Sequence, residues 1–245
     1  MGIIEYLEAE NRLAEESRIR WHREFDLFCE LTEFYERLCS AIKISDKKVQ
    51  IPSELFLVIM KIMYGVVSQI LRGRHSDAWA LTRGAIEAAA ISNRLSEHPE
   101  LMEIYQQAYP NVEKQGDPKQ WKVSVDYSEN FRTSYLFGQG GSTWSNLKVL
   151  YEMFSAMATH AGPAALSYHE TREDTLYLPF LESGEQETKR YWHSLMLAYY
   201  EILNVFLHIF RDSWSGPEAD LFGQDLLVWR SKAGVLMEGS VQGLS

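Results

Sequence analysis

The chain has little of what staples a small secreted fold together. Its 245 residues include two cysteines, Cys29 and Cys39, ten positions apart in one expected helix. A regular helix sets them about 15 Å apart along the axis and about 80° around it, which excludes a disulfide between them. Met1 to Glu10 is acidic and lacks the apolar centre of a secretory leader, so the expected compartment is the reducing cytoplasm. Proline is scarce too, seven in all and none between Glu5 and Lys43, which leaves that stretch free to be helical. Positive charge is in deficit, with 24 Lys and Arg against 34 Asp and Glu and a net charge of -10. A field of that sign repels phosphodiester backbones and anionic lipid, so nucleic acid is not an expected partner. The most apolar run, Leu55 to Leu71, is interrupted by Lys61, Gly65, Ser68 and Gln69. It is expected to fall short of a bilayer span and to form a buried core helix, with no membrane partner.

Catalytic signatures are missing as well. The sequence has no Gly-x-x-x-x-Gly-Lys, Gly-x-Gly-x-x-Gly, Gly-x-Ser-x-Gly, His-Glu-x-x-His or Cys-x-x-Cys. None of the seven histidines follows a glutamate by three residues, so the Glu-x-x-His ligand pairs of di-iron bundles are absent. No cofactor and no metal site are expected.

What the chain does have is helical periodicity. Hydrophobic residues make up 46% and charged residues 24%, a balance that supports a packed core in a chain long enough to fold without staples. Between Glu5 and Lys43, Trp21, Phe25, Phe28, Tyr35 and Ile42 recur at helical spacing, and Leu27, Leu31, Phe34 and Leu38 widen the stripe. One straight helix there would run about 60 Å, longer than a compact domain of this size. It is therefore expected to bend, to break near Glu15 to Arg20, or to project into a partner. Pro52 and Ser53 mark a second helix that stops at Gly73, and Ser76 or Asp77 is expected to cap a third that runs to Glu97. The short link predicts an antiparallel hairpin. Ala78, Ala80, Gly84, Ala85 and Ala88 to Ala90 let neighbours approach the third helix closely, which predicts a central position for it.

Helices are expected over 144–161, 185–214 and 217–232, with an extended arm over 171–183. The resulting fold class is all-α: a single helical domain, residues 1–233, built on the central hairpin. An irregular insertion at 111–143 and a flexible tail at 234–245 complete it. The long first helix is left available for homo-oligomerisation.

Two polar constellations carry the functional candidates. Arg83 and Glu87 lie four apart on the alanine-rich helix. On a surface such a pair contributes about 0.2–0.5 kcal/mol, whereas buried charges need compensation, so the two read either as an intrahelical pair or as a pocket lining. Tyr151, Ser155 and Thr159 follow one another by four and share one face. His160, about 140° from Ser155, joins that face only if the last turn opens before Pro163, and its helix-end position favours the protonated imidazole. Arg72, Arg74 and His75 form a basic corner at the hairpin turn that meets the helix dipole. His193 and His208 are read as scattered core or surface residues.

Two segments, Ala80-Leu-Thr-Arg83-Gly-Ala-Ile-Glu87-Ala and Tyr151-Glu-Met-Phe-Ser155-Ala-Met-Ala-Thr-His160, together resemble an uncharacterised bacterial family of helical proteins. That family is marked by an Arg-x-x-x-Glu helix and a later Tyr-x-x-x-Ser-x-x-x-x-His helix. The resemblance implies that Arg83, Glu87, Tyr151, Ser155 and His160 converge on one pocket, and it implies no established reaction. A looser likeness is to helical nucleotide-binding or RNA-cleaving domains of bacterial defence and toxin systems, which use Arg followed by His after four to six residues. Arg18 with His22 and Arg94 with His98 have three residues between them, a departure that counts against ribonuclease activity. The expected function is a non-catalytic ligand-sensing or protein-interaction protein of a bacterial cytosol, homodimeric, with Arg83 on a small anionic group. The alternative is a hydrolase or nuclease in which Tyr151 and His160 handle protons and Arg83 stabilises developing negative charge.

Overall fold

The computed structural model describes residues 3–42, 47–108, 125–138, 141–158, 170–172, 175–177, 185–212, 214 and 217–238. The fold is all-α. Its helices are α1 (Ile3–Arg20), α2 (His22–Ala41), α3 (Lys47–Leu71), α4 (His75–Glu97), α5 (Met102–Gln107), α6 (125–130), α7 (Thr133–Leu136), α8 (Ser142–Ala158), α9 (Glu185–Ile209) and α10 (Pro217–Glu238). A 3-10 turn, Pro99–Leu101, precedes α5. A two-stranded antiparallel ribbon, β1 (Glu170–Arg172) and β2 (Thr175–Tyr177), pairs Thr171 with Leu176 where the sequence suggested an extended arm.

The long N-terminal segment breaks at Trp21, one residue past the expected interval, with φ -103° and ψ 28°. The indole there is 7% exposed, so burial of a large aromatic, worth about 1.5–3 kcal/mol, holds the bend. Beyond it, α2 is committed to the core. Phe28, Leu31, Tyr35 and Leu38 are buried, Tyr35 donates its hydroxyl to the Tyr199 carbonyl at 2.6 Å, and its ring stacks on Phe56 at 5.3 Å. The Trp229 indole donates to the Leu27 carbonyl at 2.9 Å and fastens α10 to the same helix.

Helix α3 starts at Lys47, five residues before the proline expected to open it. Burial of Val49 and Ile51 offsets the single backbone hydrogen bond that Pro52 cannot donate. The longer helix corrects two expectations. Lys48–Leu71 spans 24 residues at mean hydropathy 1.7, long and apolar enough to cross a bilayer. It is not a fully buried core helix either: Phe56, Ile59, Met63, Val66 and Ile70 are buried along one face, while Leu57, Val58 and Tyr64 are exposed on the other.

Helix α3 ends in a Schellman turn. Gly73 adopts φ 71°, its N–H donates to Ile70 at 2.9 Å, and the Arg74 N–H donates to Gln69 at 2.8 Å. The turn is so tight that His75 is already helical, and Arg74 occupies the N-cap without a side-chain capping bond, which corrects the expected Ser76 or Asp77 cap. The Arg74 side chain serves a different purpose. Its Nε meets the Glu10 carboxylate at 2.5 Å, and the Tyr6 hydroxyl donates to the same carboxylate at 2.7 Å. Glu10 is 4% exposed, so α1 is clamped to the hairpin turn by a buried charge. The basic corner read from the sequence is thus an inter-helix anchor.

Helix α4 sits at the centre, in contact with α3, α8 and α9. Ala78, Ala85, Ala89 and Ala90 are buried at those contacts, and their small size permits the approach of three neighbours at once. The final helix continues to Glu238, past the expected start of the tail at Gly234, because Ala233 is buried and Leu236 packs on the core. Arg74→Ala leaves the Glu10 carboxylate buried with one neutral donor. It is expected to lower stability by about 2 kcal/mol, the scale of a hydrogen bond to a charged group, as read from urea unfolding midpoints.

Candidate functional site

The three neighbours of α4 leave a fourth side, and its polar residues gather there. Arg83, Glu87 and Arg94 are spaced by four and seven, which puts them on one stripe. Arg83 reaches α8, where its Nη2 donates to the Tyr151 hydroxyl at 3.2 Å and its guanidinium carbon lies 5.2 Å from the Tyr151 ring centre. The Tyr151 ring is backed by Phe137 at 5.0 Å. Phe137 is placed by α7 and by Gly138, where a side-chain Cβ would stand 2.5 Å from the Ser134 carbonyl oxygen. Only glycine lets the chain leave α7 that closely.

Arg94 holds the other end of the same segment. Its Nε donates to the Asn130 carbonyl at 2.8 Å, and its guanidinium lies over the Tyr135 ring at 5.2 Å. Between these anchors, Tyr127 stacks on Phe131 at 4.8 Å, and Tyr105 meets Phe131 at 5.9 Å. Glu87 is half-buried opposite this cluster. The Tyr127 hydroxyl is raised above its usual pKa by burial first and then by the negative charge of Glu87. The part of the insertion that the structure describes is therefore an aromatic cover docked on the polar stripe of α4.

Of the five candidates, Arg83 and Tyr151 touch. Ser155 lies one turn beyond Tyr151 and donates to its carbonyl at 2.6 Å, which points the hydroxyl along its own helix. No ion pair links Glu87 to Arg83 among the described residues. His160, with Thr159, lies outside the described residues, as do 111–124 of the insertion. The Arg83 Nε is buried and has no hydrogen-bond acceptor.

The sequence reading passed over Arg94, Tyr127, Phe131 and Phe137. Arg94 had a legible signal, since it follows Arg83 by eleven residues, three full turns. The aromatics had none, because they sit in short helices inside a polar stretch. It also passed over Glu201, 5% exposed in α9. That carboxylate accepts from Asn146 of α8 at 2.6 Å, which ties α8 to α9, and from Asn204 of its own helix at 3.5 Å. A lone acid in an aromatic run was the available sign.

Two open grooves lie elsewhere. One of about 620 Å³, between α1 and α3, includes Arg18, Tyr64 and Arg72, and one of about 500 Å³ includes Arg23, Leu27, Lys189 and Lys232. Among the described residues no three His, Cys, Asp or Glu side chains gather as a metal site. The Cys29 thiol is raised in pKa by burial and by Asp26 and Glu33, which suppresses the reactive thiolate. No family model, curated protein or solved structure matches this chain, so the reading of the site rests on its own geometry.

His193 is half-buried on α9 with its Nε2 unpartnered, and burial together with the charge of Lys189 lowers its pKa from 6.5 to about 4. The folded state thus binds fewer protons than the unfolded one between those values, and this residue's contribution to stability falls as the pH drops from 6.5 towards 4. Urea unfolding of His193→Gln and the parent at pH 7 and pH 5 is expected to show the variant gaining relative to the parent at the lower pH. A gap that stays constant would mean that the imidazole titrates as it does in the unfolded chain.

Proposed function

We propose that this is a non-catalytic binding protein of the cytoplasm that senses a small anion at Arg83. The observation that carries the reading is the state of that guanidinium. It is half-buried, its Nε is buried without an acceptor, and its described partners are a phenol oxygen and a ring. An unmet buried donor costs about 1–3 kcal/mol, and a cation–π contact returns about 0.5–2 kcal/mol, so the two contributions at Arg83 stand near balance. A carboxylate or phosphate at the Nε edge would supply the missing acceptor and a charge-assisted bond. The Tyr151 hydroxyl, whose oxygen accepts from Nη2, keeps its own proton to donate to the same anion.

Two free thiols ten residues apart on α2 support the cytoplasmic part of the reading. A homodimer through the N-terminal helix belongs to the same proposal, supported by Ile3, Ile4 and Leu7, which are exposed on α1. Contiguous apolar surface of this kind marks contact sites. Light scattering is expected to give the mass of a dimer for the parent and of a monomer for Leu7→Glu. A parent that is monomeric would remove this part of the proposal.

The anion reading is tested by thermal unfolding in sodium phosphate against sodium chloride at equal ionic strength. Phosphate is expected to raise the Tm of the parent, approaching about 2.7 kcal/mol of added stability at a hundredfold excess over Kd. The rise is expected to vanish in Arg83→Met. An equal rise in both proteins would sink the reading.

A further inference from the structure

The anion reading uses half of the polar stripe. Glu87 stands one turn after Arg83, which sets their Cβ atoms about 5–6 Å apart on one face. Opposite charges at this spacing can close on each other, yet here they do not: Arg83 is turned onto Tyr151 of α8, and Glu87 is left near enough to the Tyr127 phenol of α6 for its charge to be felt there. Neither has an ion-pair partner among the described residues. Both are half-buried, so each has given up part of its hydration without the compensation that withdrawn charges require. A simple anion would satisfy Arg83 and leave Glu87 facing added negative charge.

We infer that the site takes a zwitterion, a molecule with a carboxylate or phosphate at one end and a protonated amine at the other. Amino acids and ω-amino acids are the simplest members of that class. The inference rests on the reading of Arg83 as an anion receptor. The acidic end is held by Arg83 and the Tyr151 hydroxyl. The ammonium donates to the Glu87 carboxylate one turn along the helix. Such a ligand satisfies both charges at once and brings no net charge into a half-buried site. The separation of the two heads sets the length of ligand that fits.

The test is a thermal-unfolding series with glycine, β-alanine and 4-aminobutyrate, each paired with the acid lacking its amine: acetate, propionate and butyrate. Phosphate serves as the charge-only control. For the parent, at least one amino acid is expected to stabilise more than its amine-free partner. In Glu87→Gln that preference is expected to disappear through at least a tenfold loss of amino-acid affinity, while the phosphate response stays. Arg83→Met is expected to lose both. Should the amino acids stabilise no more than their amine-free partners, or should Glu87→Gln keep the preference, the zwitterion inference is overturned. The anion reading then still stands if phosphate stabilises the parent and not Arg83→Met. No response to any of these compounds would overturn both. Circular dichroism of Glu87→Gln separates a lost ligand contact from a lost fold.

Discussion

The close packing of α4 against three helices is the constraint from which the rest of the molecule follows. A helix touched by α3, α8 and α9 needs small side chains where its neighbours come closest, and Ala78, Ala85, Ala89 and Ala90 provide them, with Trp79, Ile86 and Leu95 buried among them. The long charged side chains Arg83, Glu87 and Arg94 share one stripe of that helix. The aromatic cover of α6 and α7 then closes over charged groups, so it must make its contacts through rings and carbonyls. Arg94 does both at once, bonding the Asn130 carbonyl and lying over the Tyr135 ring.

The same hairpin that centres α4 also positions the N-terminus. The Schellman turn at Gly73 delivers Arg74 to the end of α4, where Glu10 and Tyr6 of α1 meet it. A buried carboxylate held this way specifies the docking of α1 more than it stabilises the fold, since the cost of withdrawing the charge offsets much of the attraction. Helix α1 is otherwise lightly packed, with Glu10 its one fully buried residue. Its exposed apolar end and its single charged anchor leave it the helix with the fewest buried side chains among α1, α2 and α4.

At the candidate site the same economics leave a deficit. Glu10 is withdrawn from water and fully partnered, and Glu201 is withdrawn and held by two amides. Arg83 and Glu87 are withdrawn halfway and share no bond with each other. Among the described residues, neither has a close charged or amide partner such as Glu10 and Glu201 have. Tyr151 is packed on Phe137 from behind and offers its hydroxyl to Arg83 in front.

The sequence by itself determined the helical class, the hairpin and the centrality of α4. Each rests on local chemistry: apolar spacing along a turn, a glycine free to take positive φ at residue 73, and a run of small side chains. It also determined that Arg83 and Glu87 lie four apart on one face of an alanine-rich helix. What tertiary structure decided was where those charges turn. Arg83 selects a ring 68 positions away, because a partner across the fold competes with the neighbour one turn along and wins by burying aromatic surface. The start of α3 at Lys47, the bend at Trp21 and the continuation of α10 to Glu238 were likewise settled by burial of Val49, Ile51, Trp21 and Ala233. Local capping and turn signals are worth about 1 kcal/mol each, and a buried side chain outweighs them.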